Sequence, residues 1–291
     1  MKILLATPLY ASHWDAGHFW LKALNGLGHT VLVWDYRLNP LPRCFQTDFT
    51  LVMKGESIDP EMLPHPRVCY WPDALERTPG IEKLLSQYDK VFTPVRPTPA
   101  DMEWLPSGGM EWLPSGWDED IHRYTGAEKD IPSVYIGTYN SWRKVEFLRA
   151  IRPDRLVGNG WDLVSDDIYA GSGQSFGLLP PQYLHDFVAL ASRAQVLINI
   201  HQGPVGLNRK IFEMISCGLT ITDRVPGVEE IFGQDLAQLV SYRTPEEGHK
   251  LLKAWLGRPQ KERDEIWQLE KKAIEPYTYR EAAERILSFA G

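Results

Sequence analysis

Asn199-Ile200-His201-Gln202-Gly203-Pro204-Val205-Gly206-Leu207-Asn208-Arg209-Lys210-Ile211-Phe212-Glu213-Met214-Ile215-Ser216-Cys217-Gly218-Leu219-Thr220-Ile221-Thr222 is the stretch that decides the fold. The apolar run from Gln195 to Ile200 ends in a polar loop holding Gly203, Pro204 and Gly206. Ile211, Met214 and Ile215 then recur at the spacing of one buried helical face. Gly218 stops that helix, and Leu219 to Thr222 begins another strand-like run. Strand, glycine loop, helix, glycine and strand together predict a parallel α/β unit. A loop of this kind turns backbone N–H groups toward an anion. Asn208, Arg209 and Lys210 add donors, with the carboxylate of Glu213 one turn later. The expectation is a site for a phosphate-bearing ligand.

Toward the N-terminus the same pattern recurs. Lys2 to Thr7 reads as a buried strand, and Gly17 to Leu27 as a helix with Phe19, Leu21, Ala23, Leu24 and Leu27 on its apolar face. Gly28 is its stop, and His29 to Asp35 is the next strand, ending in an acid. Strands are further predicted at Phe49 to Met53, Arg67 to Trp71 and Lys90 to Thr93, with a helix over Ile81 to Gln87.

Met-Glu-Trp-Leu-Pro-Ser-Gly occurs twice, at Met102 to Gly108 and at Met110 to Gly116. The first copy follows a helix-start sequence, Pro99-Ala100-Asp101, and is expected to be helical; the second follows Gly109 and is expected to be a strand. Residues 117–131 are polar without periodicity and read as a linker. A second α/β series follows, with a strand at Ser133 to Gly137, a helix over Trp142 to Ile151 and a strand at Arg155 to Val157. Gly158 to Gly173 is expected to be a loop region, Pro181 to Arg193 a helix, Val228 to Phe232 a short helix and Ala237 to Val240 a strand. From Pro245 onward the chain reads as mostly helical. The predicted layout is a first domain of residues 1–116 completed by a final helix over 279–291, a linker, and a second domain of residues 132–278.

The 291 residues are 43% hydrophobic and 24% charged, ordinary for a soluble globular chain. A net charge of −7 argues against a nucleic-acid partner, because phosphate backbones attract basic surfaces. Cys44, Cys69 and Cys217 are scattered, with neither disulfide nor zinc spacing, which favours a reducing, cytoplasmic setting. No apolar stretch approaches membrane-spanning length.

Gly137-Thr138-Tyr139-Asn140-Ser141-Trp142-Arg143-Lys144 joins the first strand and helix of the second domain. Ligands of open α/β sheets bind at such strand-to-helix loops. The corresponding loop in the first domain, Ser12 to Gly17, has no Gly-x-Gly-x-x-Gly, which weakens a dehydrogenase reading. His13 and His18 are five apart, unsuited to a helical zinc pair. Asp118-Glu119-Asp120 and Asp166-Asp167 lie in linker-like sequence and read as solvated acids, so no metal site is expected. Lys210 and Glu213 are also spaced for a plain ion pair on one helical face. No nucleophile elbow or Walker loop is present.

Several of these segments, in this order, carry a family resemblance. They are Leu27-Gly28-His29-Thr30-Val31, Tyr70-Trp71-Pro72-Asp73, Ile136-Gly137-Thr138 with Arg143, and Gly158-Asn159-Gly160-Trp161. Asn208-Arg209-Lys210-Ile211-Phe212-Glu213, Ser216-Cys217-Gly218 and Tyr277-Thr278-Tyr279-Arg280 complete the set. The chain resembles the GT-B glycosyltransferases, close to the spore-maturation (CgeB-like) branch and related to the retaining family-four enzymes. The resemblance implies two Rossmann-like α/β domains facing across a cleft, with the C-terminal helix crossing back to domain one. It implies a nucleotide-diphosphate sugar as donor, UDP-sugar before GDP-sugar, with no cofactor and no metal requirement. Donor binding would fall to Gly137, Thr138, Arg143, Gly203, Gly206, Asn208, Arg209, Lys210 and Glu213. Val205 stands where the family-four motif has its first glutamate, a departure in the sugar-holding group. The acceptor, a small molecule, glycan or macromolecule, would lie on domain one against Trp14, Asp15 and Gly17, with Asp73 and His13 as catalytic candidates. The alternatives are a glycosyltransferase acting on a hydroxymethylpyrimidine base in DNA, a nucleotide-sugar epimerase, and a nucleotide-binding module without catalysis.

Overall fold

Parallel strands dominate the computed structural model, which describes residues 1–9, 16–42, 46–73, 75, 78–97, 109–114, 116–169, 177–180, 183–203 and 205–290. The chain separates into two compact units. The first comprises Met1–Gly116 with Tyr277–Gly291, the second Trp117–Pro276.

The first unit runs β1 (Lys2–Ala6), α1 (Ala16–Gly26), β2 (Thr30–Trp34), β3 (Phe49–Met53), β4 (Arg67–Tyr70), α2 (Ile81–Leu85), β5 (Lys90–Thr93) and β6 (Met110–Trp112). These strands form one sheet in the order β2-β1-β3-β4-β5-β6, every pair parallel. Leu4 pairs with both Leu32 and Thr50, which centres β1. Ile3, Leu5, Leu51 and Val68 are fully buried, as expected of apolar strands covered on both faces. The second copy of the repeated heptapeptide supplies β6; the first lies outside the described residues.

The second unit runs β7 (Ile131–Ile136), α3 (Trp142–Ile151), β8 (Arg155–Val157), α4 (Ser165–Tyr169), β9 (Gly177–Leu179), α5 (Leu184–Ser192), β10 (Ala194–Asn199), α6 (Lys210–Ile215), β11 (Thr220–Asp223), α7 (Val228–Val240), β12 (Ser241–Tyr242), α8 (Pro245–Leu256) and α9 (Gln260–Ile274). Its sheet has the order β12-β11-β10-β7-β8-β9, again all parallel. The core between sheet and helices gathers Val134, Ile136, Val157, Phe187, Leu197 and Met214.

The chain returns to the first unit as α10 (Tyr279–Leu287). Thr278 caps this helix by accepting from Glu281 N at 3.1 Å. Tyr279 stacks on Phe19 of α1 with ring centroids 5.1 Å apart and meets Trp20 edge-on at 5.7 Å.

Three expectations need correction. Residues 117–131 are not a free linker: Trp117, Asp118 and His122 are buried in the second unit, and Trp117 Nε1 donates to Ile274 O at 3.1 Å. Apolar and charged residues alternate there without a regular period, which hides the burial from a periodicity argument. Gly158 to Tyr169 is not all loop either. Trp161, Val164 and Ile168 are buried at helical spacing, through a 3-10 turn over Trp161–Leu163 and then α4. Ala237 to Val240 is the end of α7 rather than a strand. Ala237 and Val240 are fully buried three residues apart while Leu239 is exposed, so the segment has one inward face, as a helix does.

Candidate functional site

In each sheet the chain moves outward from one strand and then restarts on its other side. The reversal lies between β1 and β3 in the first sheet and between β7 and β10 in the second. Loops leaving the carboxyl ends of two such strands part in opposite directions and leave a crevice, where open α/β sheets bind ligands. In the second unit those loops are 137–141 and 200–209, which hold most of the residues singled out in the sequence.

Loop 137–141 is fixed by close backbone approach. Gly137 O accepts from Trp161 Nε1 at 2.5 Å, and Tyr139 N donates to Asn159 O at 2.9 Å. Gly158 has φ of +139°, and a Cβ there would lie 2.0 Å from Gly137 O, so only glycine lets the two loops meet. Thr138 is exposed, while its carbonyl accepts from the buried Lys144 Nζ at 3.2 Å.

Arg143, on the first turn of α3, ties this loop to the one after β10. Its Nη1 donates to His201 O at 2.9 Å and its Nη2 lies 2.6 Å from Asp223 Oδ2. Asp223 is fully buried at the end of β11. Burial alone would raise its carboxyl pKa, but His201 and Arg143 outweigh that and hold it below the usual carboxylate range. Asp223 Oδ1 accepts from His201 N at 2.8 Å and faces His201 Nδ1 at 2.7 Å, so the ring proton sits on Nδ1. Tyr242 OH donates to Asn199 O at 3.1 Å, and Asn199 Nδ2 donates to Thr222 Oγ1 at 3.0 Å. The end of β10 is thereby fixed by side chains from β11 and β12.

Arg209 and Lys210 do not stand as unopposed cations. Lys210 Nζ is 2.6 Å from Glu213 Oε2 and Arg209 Nε is 3.3 Å from Glu213 Oε1, with the Glu213 side chain 3% exposed. Burial pushes the Glu213 carboxyl up, yet Lys210, Arg209 and His122 together bring it down to about 2. His122 Nε2 approaches Glu213 Oε1 at 4.0 Å, while His122 Nδ1 accepts from Asp118 N at 3.0 Å. Desolvation lowers the His122 pKa against the pull of Glu213. Arg209 is itself helical, so Asn208 does the capping: its Oδ1 accepts from Ile211 N at 3.1 Å. With only six residues, α6 contributes little dipole, and the charge available to a ligand is that of the side chains. Gly203, Val205 and Gly206 are half-buried in the same loop.

The first sheet presents a different edge. Lys54, just past β3, has a left-handed backbone with φ of +72°, which costs a non-glycine residue about 1–2 kcal/mol. Its Nζ lies 2.9 Å from Asp73 Oδ2, beyond β4. Arg37, beyond β2, pairs with Glu56 at 2.5 Å. Gly17 is buried, and a Cβ there would come within 2.6 Å of Thr7 Oγ1; its smallness lets α1 pack on the end of β1. His13, Trp14 and Asp15 lie outside the described residues.

A family model described as glycosyl transferase-like matches residues 143–288. The chain belongs to that family. No curated protein sequence matches it. Among solved structures, AviGT4, a glycosyltransferase involved in avilamycin A biosynthesis, is 15% identical with a TM-score of 0.66, covering 100% of this chain and 97% of its own. The E. coli trehalose-6-phosphate protein bound with UDP-2-fluoro glucose is 11% identical with a TM-score of 0.70, covering 100% and 99%. The DNA-modifying β-glucosyltransferase, seen with and without uridine diphosphoglucose, is 13% identical with a TM-score of 0.68, covering 100% and 99%. Identities this low speak to the fold alone, and that fold is GT-B. By family and fold the chain is a GT-B glycosyltransferase.

For this glycosyltransferase, sequence reasoning missed His201, Asp223, His122 and Lys54. Asp223 carried a usable signal, since an acid ending a buried strand marks the carboxyl edge. Lys54 carried none: nothing in Met53-Lys54-Gly55 announces a left-handed lysine. Among the described residues no three His, Cys, Asp or Glu side chains converge as metal ligands, and no helix is long and apolar enough to cross a membrane.

Proposed function

We propose that the protein transfers a sugar from a nucleoside diphosphate sugar, UDP-sugar before GDP-sugar, to a hydroxyl acceptor, with retention at the anomeric carbon and without a metal. The observation carrying the donor assignment is the Arg143–His201 bond, which joins the two loops flanking the reversal point of the second sheet. Gly137, Thr138, Gly203 and Gly206 supply backbone at that edge; Arg143, Arg209 and Lys210 supply fixed cations; Asn208 and Glu213 hold the loop and the cations in place. A carboxylate partner does not spend such a cation. It orients the guanidinium or ammonium so that the remaining N–H groups meet the charge developing on a departing diphosphate.

In the transfer, the acceptor oxygen bonds to the anomeric carbon while the bond from that carbon to the diphosphate oxygen breaks. The electron pair leaves on the nucleoside diphosphate, and the hydroxyl proton passes to a departing phosphate oxygen. Asp73 and His13 orient the acceptor on the first unit, with Trp14, Asp15 and Gly17 beside it. Buried free thiols at Cys69 and Cys217 fit a cytoplasmic setting.

Thermal unfolding with UDP, UDP-glucose and GDP-mannose tests the donor reading. UDP compounds at millimolar concentration raise the melting temperature, and Arg209→Ala removes both the shift and turnover. Absence of any shift with every nucleotide sinks the assignment. A second reading, transfer to a base in DNA, draws on the likeness to the DNA-modifying glucosyltransferase. The net charge of −7 opposes it, and mobility-shift binding at low salt decides between them. An epimerase would interconvert the donor without acceptor; a non-catalytic module would bind it unchanged.

A further inference from the structure

The turn after Trp117 reaches the cation cluster of the second unit. Asp118 closes that turn: its carbonyl accepts from His122 N at 2.8 Å, and its Oδ1 accepts from Asp120 N at 3.0 Å and Ile121 N at 3.1 Å. The same residue fixes the His122 ring, because Asp118 N donates to Nδ1 at 3.0 Å. A ring nitrogen that accepts carries no proton, so in the neutral ring the proton sits on Nε2. Burial lowers the His122 pKa, which keeps the ring neutral near pH 7. Nε2 is the atom that faces Glu213 Oε1, 4.0 Å away.

His122 also shares its neighbours with Lys210. The Phe187 ring of α5 meets the His122 ring edge-on at 6.2 Å, and Lys210 Nζ lies 4.3 Å from the centroid of Phe187. Glu213 divides its two oxygens unequally. Oε2 holds Lys210 at 2.6 Å, while Oε1 lies 3.3 Å from Arg209 Nε and 4.0 Å from His122 Nε2. The Arg209 side chain is 29% exposed, whereas those of His122 and Glu213 are each 3% exposed. Arg209 can therefore turn outward, and the other two cannot follow. At 4.0 Å the Nε2–H makes no hydrogen bond, but a shift of about 1 Å brings it within bonding distance of Oε1. A buried carboxylate oxygen that loses one partner is costly to leave bare.

We infer that His122 is a positioning residue for the donor site: its Nε2–H takes over Glu213 Oε1 when Arg209 turns from that oxygen to a diphosphate. The exchange keeps the buried carboxylate satisfied, so the guanidinium meets the ligand without stranding a charge. No bond to the sugar is made or broken at His122. The inference rests on the donor reading above, which sets Arg209 against the diphosphate.

Two substitutions separate this role from a merely structural one. In His122→Asn the amide reaches the place of Nδ1, so Asp118 N keeps an acceptor and Glu213 loses its donor. In His122→Gln the amide reaches the place of Nε2, and the losses are reversed. UDP affinity is measured by isothermal titration and stability by thermal unfolding. The His122 ring is followed by NMR in 15N-histidine-labelled wild type, with His122→Gln assigning the resonance. His122→Gln keeps most of the UDP affinity although it melts below His122→Asn, and His122→Asn binds UDP weaker by about tenfold or more. In the wild type the Nε2 proton moves downfield as UDP is added, as a charge-assisted hydrogen bond forms. The inference is overturned if His122→Asn binds UDP as the wild type does, if His122→Gln is as weak as His122→Asn, or if the His122 resonances stay fixed while UDP binds. Failure of the wild type to bind any nucleotide removes the donor reading and this inference with it.

Discussion

The carboxyl edges of the two sheets are built from the same residue types and behave differently. In the second sheet Glu213 and Asp223 are buried, and both are held below the usual carboxylate range by cations that pack directly on them. In the first, Lys54–Asp73 and Arg37–Glu56 join side chains that are each roughly a third exposed. The cations are about equally exposed in the two sets, so the difference lies in the carboxylates: a buried one is poorly screened and fixes its partner's geometry, while an exposed one is screened and exchanges partners readily. On the assignment proposed above, the buried carboxylates hold the cations that meet the diphosphate, and the exposed pairs lie on the unit that takes the acceptor.

The largest test of that contrast is Glu213→Ala. Truncation strands Lys210, Arg209 and His122 against one another, which should cost about 3–5 kcal/mol in thermal unfolding and abolish turnover. The folded carboxyl titrates at about 2 against an ordinary 4.5. Its contribution is thus full above the ordinary value and is lost as pH falls through the folded one. Melting temperatures of wild type and Glu213→Gln should converge toward pH 2, and a constant gap would break the argument. Asp223→Asn comes next, at about 2–3 kcal/mol, because Arg143 loses its counter-charge and the new amide NH2 faces another donor, Arg143 Nη2 or the His201 N–H groups. UDP should weaken at least tenfold in isothermal titration; unaltered UDP affinity would separate the network from the donor site. Gly158→Ala forces a Cβ onto Gly137 O and should cost about 1–3 kcal/mol while weakening UDP. Unaltered UDP affinity would separate the 137–141 loop from the donor site.

The smallest effect lies away from both edges. Glu270 is fully buried, accepts from Thr220 N at 3.0 Å, and burial pushes its carboxyl well above the ordinary value. A raised folded pKa gives stability below the ordinary value that is lost as pH rises. Glu270→Gln should therefore raise the melting temperature by a few degrees at neutral pH and by nothing near pH 4. A gain that grew toward acid would reverse the sign of the argument.

The strands and helices with a clean period were legible in the sequence: β1, β3, α1, α3 and β10 lie within a residue or two of their expected positions. Those built from mixed residues were not. Trp161, Val164 and Ile168 mark a helical face too short to stand out between glycines and aspartates. Residues 117–131 bury Trp117 and His122 through contacts distant in sequence, such as Trp117 with Ile274. At the candidate site the loops and basic residues were visible from composition, because glycines and cations after an apolar run are a local signal. Their partners were not, since Arg143 is 80 residues from Asp223 and Lys54 is 19 from Asp73.

The return of the chain to the first unit sets an order on synthesis. Tyr279, Ala283 and Ile286 are buried in that unit, with Tyr279 against Phe19 and Trp20 of α1. Gly116 lies so close to Tyr277 and Thr278 that a Cβ there would fall 2.1 Å from Tyr277 O. The point where the chain leaves the first unit is thus the point where it comes back. On a ribosome, the first unit to emerge exposes the aromatic face of α1 until Tyr279 and the residues of α10 follow. The second unit, encoded in the middle, is complete by then, so the half translated first is the half that finishes folding last.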